Sequence, residues 1–184
     1  MTDEPAWVSD VLGFWFGELA EADWFRKSDA TDALIRQRFM GLHEKLLADG
    51  EVSPGAGART LLAAIIVLDQ FSRNMFCGTA RAFAADPHAL HMARAAVAKG
   101  LDQDRPKNER LFMYLPFEHS EDFADQEISV ALMAKLEDEE LLGYATAHRD
   151  IIKRFARFPH RNALVGRQST EDEIEFLKQP GSSF

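Results

Sequence analysis

The sequence predicts an all-α fold of antiparallel helix pairs, about eight or nine helices joined by short loops. Apolar residues recur at three- and four-residue spacing along almost the whole chain. No alternating Val/Ile/Thr run and no Asn-Gly or Asp-Gly hairpin signal interrupts that pattern. Helix punctuation recurs between the periodic segments, with Pro or an acidic residue at starts and Gly at ends.

The elements follow in order. Residues 5–16 begin with Pro5 in a first-turn position and carry Trp7, Val8, Val11, Leu12, Trp15 and Phe16, with Gly17 as a stop. A second helix spans roughly 29–48, with Leu34, Ile35, Phe39, Leu42, Leu46 and Leu47. "SPGAG" at 53–57 reads as a loop. Over 58–75, Leu61, Leu62, Ile65, Ile66, Val67, Leu68 and Phe71 cover every direction of a helical wheel, which marks a helix buried on all sides. A short segment follows from about 79, then a helix over 86–100, where Asp86 can cap, Pro87 sits in the first turn and Gly100 terminates. Residues 105–115 read as helical and Pro116 as a break. Further helices cover about 121–138 and 141–157, and Thr170 with Glu173 announces a last one by capping-box spacing.

A chain of 184 residues suits one helical domain, 1–184, with any subdivision into N- and C-terminal layers falling near 100–120. The 46% hydrophobic and 28% charged content is that of a globular protein rather than a disordered one. A net charge of −9 disfavours nucleic acid and anionic membranes as partners. The exception is 149–167, where six Lys/Arg face only Asp150, a local +5 that leaves −14 on the remainder. The longest apolar run, "LLAAIIVL", is far short of the ~20 residues a spanning helix needs. With a lone Cys77 and no signal-peptide pattern in "MTDEPAW", the expected compartment is the cytoplasm. The oligomeric state is left open.

Three polar stretches could carry chemistry. In "LDQFSRN", about 40° on the wheel separates Asp69 from Arg73, an orientation that favours an ion pair; the stretch is either a helix-locking salt bridge or a polar pocket floor that includes Asn74. In "LPFEHSED", a break at Pro116 puts Glu118, His119 and Glu121 around a helix start, where a carboxylate beside an imidazole suits acid–base work or metal ligation. In "HRDIIKRFARFPHRNALVGR", His148 is centred on the apolar face with Ile151, Ile152, Phe155 and Phe158, while Arg149, Lys153, Arg154 and Arg157 take the wet face. A histidine so placed is either a satisfied core residue or a ligand-facing one. His160, Arg161 and Asn162 follow Pro159 at the mouth of a short helix, a position suited to anions. His88 and His91 have metal-like spacing without a third ligand and read as a solvated helix edge. No Walker loop, dinucleotide fingerprint, CxxC, HExxH or serine-elbow motif is present, so no metal and no cofactor is expected.

"ADPHALHMARAAVAKGLD" resembles the second half of a tetratricopeptide repeat, with Ala93, Ala96 and Ala98 permitting close helix approach; clean self-similarity at the repeat length is lacking. The ordered set "LDQFSRNMF", "DPHALHMARAAVAKGLD", "ERLFMYLPFEHSED" and "HRDIIKRFARFPHRNALVGRQSTEDEIEFL" resembles the bacterial domain of unknown function 924 from about Val11 to Leu177. That resemblance implies an all-helical, tetratricopeptide-like fold and no established reaction, substrate or cofactor. The polar positions it matches are Asp69, Gln70, Ser72, Arg73, Asn74, Glu118, His119, Ser120 and Glu121. In the last motif they are His148, Arg154, Arg157, His160, Arg161, Asn162, Gly166 and Arg167. It also implies that Cys77, standing where Arg is common, is no catalytic thiol. Ala156, standing where Gly is frequent, implies that no left-handed backbone is needed there.

Two functions are expected from these readings. The leading one is a tetratricopeptide-like interaction module for a protein or peptide partner. The alternative is a small-ligand protein or enzyme in which Asp69, Arg73, Asn74, Glu118, His119, His148, His160, Arg161 and Asn162 form a pocket for an anionic ligand. In the enzymatic version His148 or His119 is the general base, oriented by Asp69 or Glu118. Metal-assisted hydrolysis through Glu118, His119 and His148 ranks last.

Overall fold

A computed structural model describes residues 4–50, 52 and 55–183, and every regular element among them is helical. The helices are α1 (Ala6–Gly13), α2 (Asp29–Asp49), α3 (Ala58–Ile65), α4 (Phe71–Phe76), α5 (Asp86–Ala98), α6 (Lys107–Glu118), α7 (Phe123–Ala134), α8 (Glu139–Phe155) and α9 (Glu171–Phe176). A π turn over Ile66–Gln70 joins α3 to α4, giving eight separate helices among the described residues. Ser53 and Pro54 of the expected "SPGAG" loop lie outside them. Among the described residues no helix is long and apolar enough to cross a membrane.

The chain forms two compact units, and the division falls inside α6, between Pro116 and Phe117. The first comprises the described residues up to Cys77 and Arg81–Pro116; the second comprises Gly78–Ala80 and the residues from Phe117 onward.

In the first unit the α3–α4 rod is the core. Leu61 through Phe71 are all buried, as an apolar wheel on every side requires, and α1, α2 and α5 pack around them. Phe14, Trp15, Phe39, Phe71 and Phe112 close the core through tilted and edge-on ring contacts. Ser28 caps α2 by accepting from the Thr31 N–H (3.3 Å), and Gly50 ends it at φ 73°. α5 departs from expectation at its start: Ala85 holds the capping position, and the Asp86 carboxylate turns to Arg73 instead. Its end follows the glycine rule, with Gly100 at φ 66° and the Leu101 N–H donating to the Ala96 carbonyl (2.9 Å).

Pro116 does not break α6, which continues through it to Glu118. A proline two residues before a helix end forfeits one ladder bond, and the burial of Leu111–Glu118 offsets that loss. Glu118 therefore closes a helix rather than standing at the start of one.

In the second unit, α7 and α8 pack against each other across a four-residue connection. Asp122 caps α7, accepting from the Ala124 N–H (2.8 Å); Asp138 caps α8, accepting from Glu140 and Leu141 (3.0 and 3.1 Å). The helices run over 123–134 and 139–155: the first is shorter at both ends than the apolar pattern implies, and the second lies two residues earlier. α8 ends at Ala156 in the left-handed region, φ 55° and ψ 16°, with its N–H donating to the Ile152 carbonyl (2.8 Å). The expectation that this position needs no left-handed backbone is thus overturned. The chain must reverse to bring Phe158 onto Ile151 and Ile152, and that reversal is imposed on an alanine. The capping box of Thr170 and Glu173 forms as the spacing predicts.

Candidate functional site

Asp69, Arg73 and Asn74 belong to the first unit. The π turn delivers Asp69 into the interior, fully buried, where Arg73 Nη1 lies 3.2 Å from Oδ1 and Gln70 Nε2 donates to Oδ2 (2.6 Å). Arg73 also donates to both oxygens of Asp86 (3.0 and 3.1 Å), and Asn74 donates to Asp32 (2.7 Å). Burial opposes the charge on Arg73, but Asp69 and Asp86 more than restore it and raise its pKa. This arrangement ties α2, α4 and α5 together. His43 on α2 went unnoticed in the sequence because a single histidine in an amphipathic helix carries no signal. Its Nε2 is 2.8 Å from Ser72 Oγ, which itself donates to the Leu68 carbonyl (2.6 Å). The hydroxyl proton is thereby committed to the backbone, so this contact is not a nucleophile–base pair. Burial and the nearby Arg81 lower the His43 pKa and keep the ring neutral.

The second unit gathers the remaining candidates. Glu118 ends α6, and the turn after it is held by Gln126 of α7, a fully buried residue the sequence did not flag. Gln126 Nε2 donates to the carbonyls of Glu118 and Ser120 (2.7 Å each) and approaches that of Phe117 (3.4 Å), capping the end of α6. His148, on the buried face of α8, has Nδ1 2.8 Å from the Tyr144 carbonyl and 3.3 Å from Glu118 Oε1. A carbonyl only accepts, so Nδ1 carries the proton and Nε2 the lone pair. Burial, reinforced by His119, Arg161 and His160, outweighs the Tyr144 hydrogen bond and pulls the His148 pKa down to about 3. The 3.3 Å contact with Glu118 is therefore made by a neutral ring and is not an ion pair. His119 lies with its ring centroid 6.4 Å from that of His148. Phe158 packs edge-on against His148 (5.6 Å), the Arg161 guanidinium lies over the Phe158 ring (4.5 Å), and His160 flanks it (5.7 Å).

Arg149, Arg157 and Arg167 of the basic segment are engaged with acids. Arg157 donates to both oxygens of the buried Glu173 (2.6 and 2.8 Å), which also accepts from the Thr170 N–H (2.7 Å). These contacts, led by Arg157, hold the Glu173 pKa down to about 2. Arg167 forks onto Glu121 (2.6 and 2.9 Å), whose Oε1 also accepts from the Phe158 N–H (2.8 Å). Arg149 pairs with Asp150 (2.8 Å) and Arg154 stays exposed over Phe155 (4.6 Å). The buried Asn162 donates to Ser169 Oγ (3.0 Å), on the structural side of this network. Cys77 is exposed and unbridged. His91 is exposed as expected, whereas His88 is half-buried with Nδ1 3.2 Å from the Gly50 carbonyl that ends α2. Among the described residues no group of three or more His, Cys, Asp or Glu side chains is arranged to hold a metal ion.

A family model described as "Bacterial protein of unknown function (DUF924)" matches residues 11–181. The chain belongs to this family. This DUF924 chain is also similar to the solved structure of a protein of unknown function from Agrobacterium tumefaciens, 38% identical, with a TM-score of 0.90. The match covers 96% of this chain and 99% of that one. No curated protein matches it.

For a DUF924 protein, then, chemistry has to be read from the side chains themselves. The cluster of the second unit combines a neutral imidazole of fixed tautomer, a buried carboxylate, two further histidines and a guanidinium on an aromatic face. Such a set brings hydrogen-bonding and cationic side chains together around one aromatic ring.

Proposed function

We propose that this protein binds a small carboxylate-bearing ligand at the cluster of Glu118, His119, His148, His160 and Arg161. The observation that supports the reading is the gathering of His148, Arg161 and His160 around the Phe158 ring, at 5.6, 4.5 and 5.7 Å. Arg161, stacked on Phe158, supplies the carboxylate partner. With a pKa near 3, His148 is a weak proton acceptor at neutral pH, which favours recognition over general-base catalysis at this residue. The test is side-chain histidine NMR during titration with propionate, succinate and inorganic phosphate. A saturable shift of the His148 resonances with a carboxylate, weakened at least about tenfold in Arg161→Gln, is expected. No saturable shift, or an affinity indifferent to Arg161, sinks the reading.

The alternative is a tetratricopeptide-like module of the cytoplasm that docks a peptide or protein. It draws on Phe123 and Ile128 of α7 and Tyr144 of α8, three large apolar side chains exposed on neighbouring helices. A partner recovered with the wild-type chain and lost with Ile128→Glu supports it; recovery that ignores this change counts against it.

A further inference from the structure

We infer a second binding site at the end of α8, a cleft that takes a singly charged carboxylate on an apolar body. It shares no lining residue with the cluster proposed above. The cleft has a volume of about 470 Å³ and lies between the last turn of α8 and the start of α9. Small-molecule sites occupy roughly 300–1,000 Å³. Arg154, Phe155, Thr170 and Asp172 line it, together with the Arg157–Glu173 pair. Arg154 carries the inference. Its guanidinium lies over the rings of Phe155 (4.6 Å) and Phe176 (5.8 Å), and none of its N–H groups meets an acceptor among the described residues. Both rings pack against the buried Ile151, Ile152 and Phe158, and against each other at 5.1 Å, so the core fixes the platform beneath the cation.

The rest of the lining narrows the ligand. Arg157 is spent on Glu173 and on the Gln168 carbonyl (3.1 Å), and the charges of that pair cancel. Of the remaining lining charges, one is Arg154 and the other is the exposed Asp172, which has no cation partner among the described residues. A phosphate dianion would bring two charges to one guanidinium and meet repulsion from Asp172. A carboxylate brings one charge, and its two oxygens match the planar fork of an arginine. Thr170 Oγ1 accepts from the Glu173 N–H (3.2 Å), which leaves the hydroxyl proton for a ligand oxygen. The Phe155 ring and the Ala156 methyl, presented by its left-handed turn, supply apolar lining for the body of the ligand.

The full chain is titrated with phenylacetate, phenylacetamide, acetate and inorganic phosphate while its backbone amides are followed by NMR. Phenylacetate should shift the Ala156 and Thr170 amides saturably and bind at least about tenfold more tightly than each of the other three. Arg154→Gln should weaken phenylacetate about tenfold or more, and Arg161→Gln should leave these shifts unchanged. No saturable shift at Ala156 and Thr170 overturns the inference, as does phenylacetamide or phosphate binding as tightly as phenylacetate. Indifference to Arg154→Gln leaves that side chain only the role of balancing the negative end of α8, and overturns it too. Shifts confined to His148 and lost in Arg161→Gln overturn this site and support the one proposed above. If Arg154→Gln fails to fold, the wild-type comparison of phenylacetate with phenylacetamide decides.

Discussion

Replacing Ala156 by glycine should stabilise the second unit. Ala156 holds φ 55° and ψ 16° at the end of α8, a region where a Cβ crowds the following carbonyl and costs roughly 1–2 kcal/mol. The side chain is exposed, so deleting its methyl group forfeits little packing. Against the relief stands the greater freedom of glycine in the unfolded chain, about 0.4–1 kcal/mol. The balance is a gain of about 0.5–1 kcal/mol, or about 1–4 °C in Tm for a protein of this size. Urea unfolding followed by circular dichroism should show a higher midpoint at unchanged slope. Should the two units unfold in separate steps, only the transition of the second should move. Ala156→Val, which puts a β-branched residue in the same backbone state, should lower the midpoint. A neutral or destabilising Ala156→Gly, with the slope unchanged, refutes the reasoning by showing that the left-handed turn is not under strain.

Acid should unsettle the protein in two windows. The folded His148 pKa of about 3 lies below its ordinary 6.5, so the unfolded ring takes up a proton that the folded one refuses. Stability from this source is complete above about pH 6.5 and is lost as pH falls toward 3; His148→Gln should flatten that slope in unfolding titrations. Glu173 acts lower, its pKa depressed from 4.5 to about 2, so its contribution is full above pH 4.5 and lost below; Glu173→Gln should remove this second slope. Arg73→Met leaves Asp69 fully buried beside Asp86 without their shared cation and should cost about 3 kcal/mol by chemical denaturation. Arg73→Lys, which keeps the charge and gives up the fork onto Asp86, should cost less.

The sequence by itself determined the all-α class, the fully buried α3–α4 rod, the Asp69–Arg73 ion pair, the inward face of His148 and the capping box of α9. Each follows from spacing within one helix, where 100° per residue fixes which side chains meet. Tertiary structure decided what depends on partners distant in the chain. Pro116 could stay inside α6 because burial of that helix outweighed one lost bond, and Arg157, expected on the wet face, and Arg167 found Glu173 and Glu121, 16 and 46 residues away. Gln126 carries no signal in the sequence, because its role in capping the end of α6 exists only once that end packs against α7. Ala156 carries a left-handed backbone because the path from α8 to Phe158 demands it, against the local preference of the residue. Local periodicity fixes which face of a helix is apolar; only the packed chain decides which buried polar groups acquire partners, because satisfying them takes atoms that no short stretch of sequence contains.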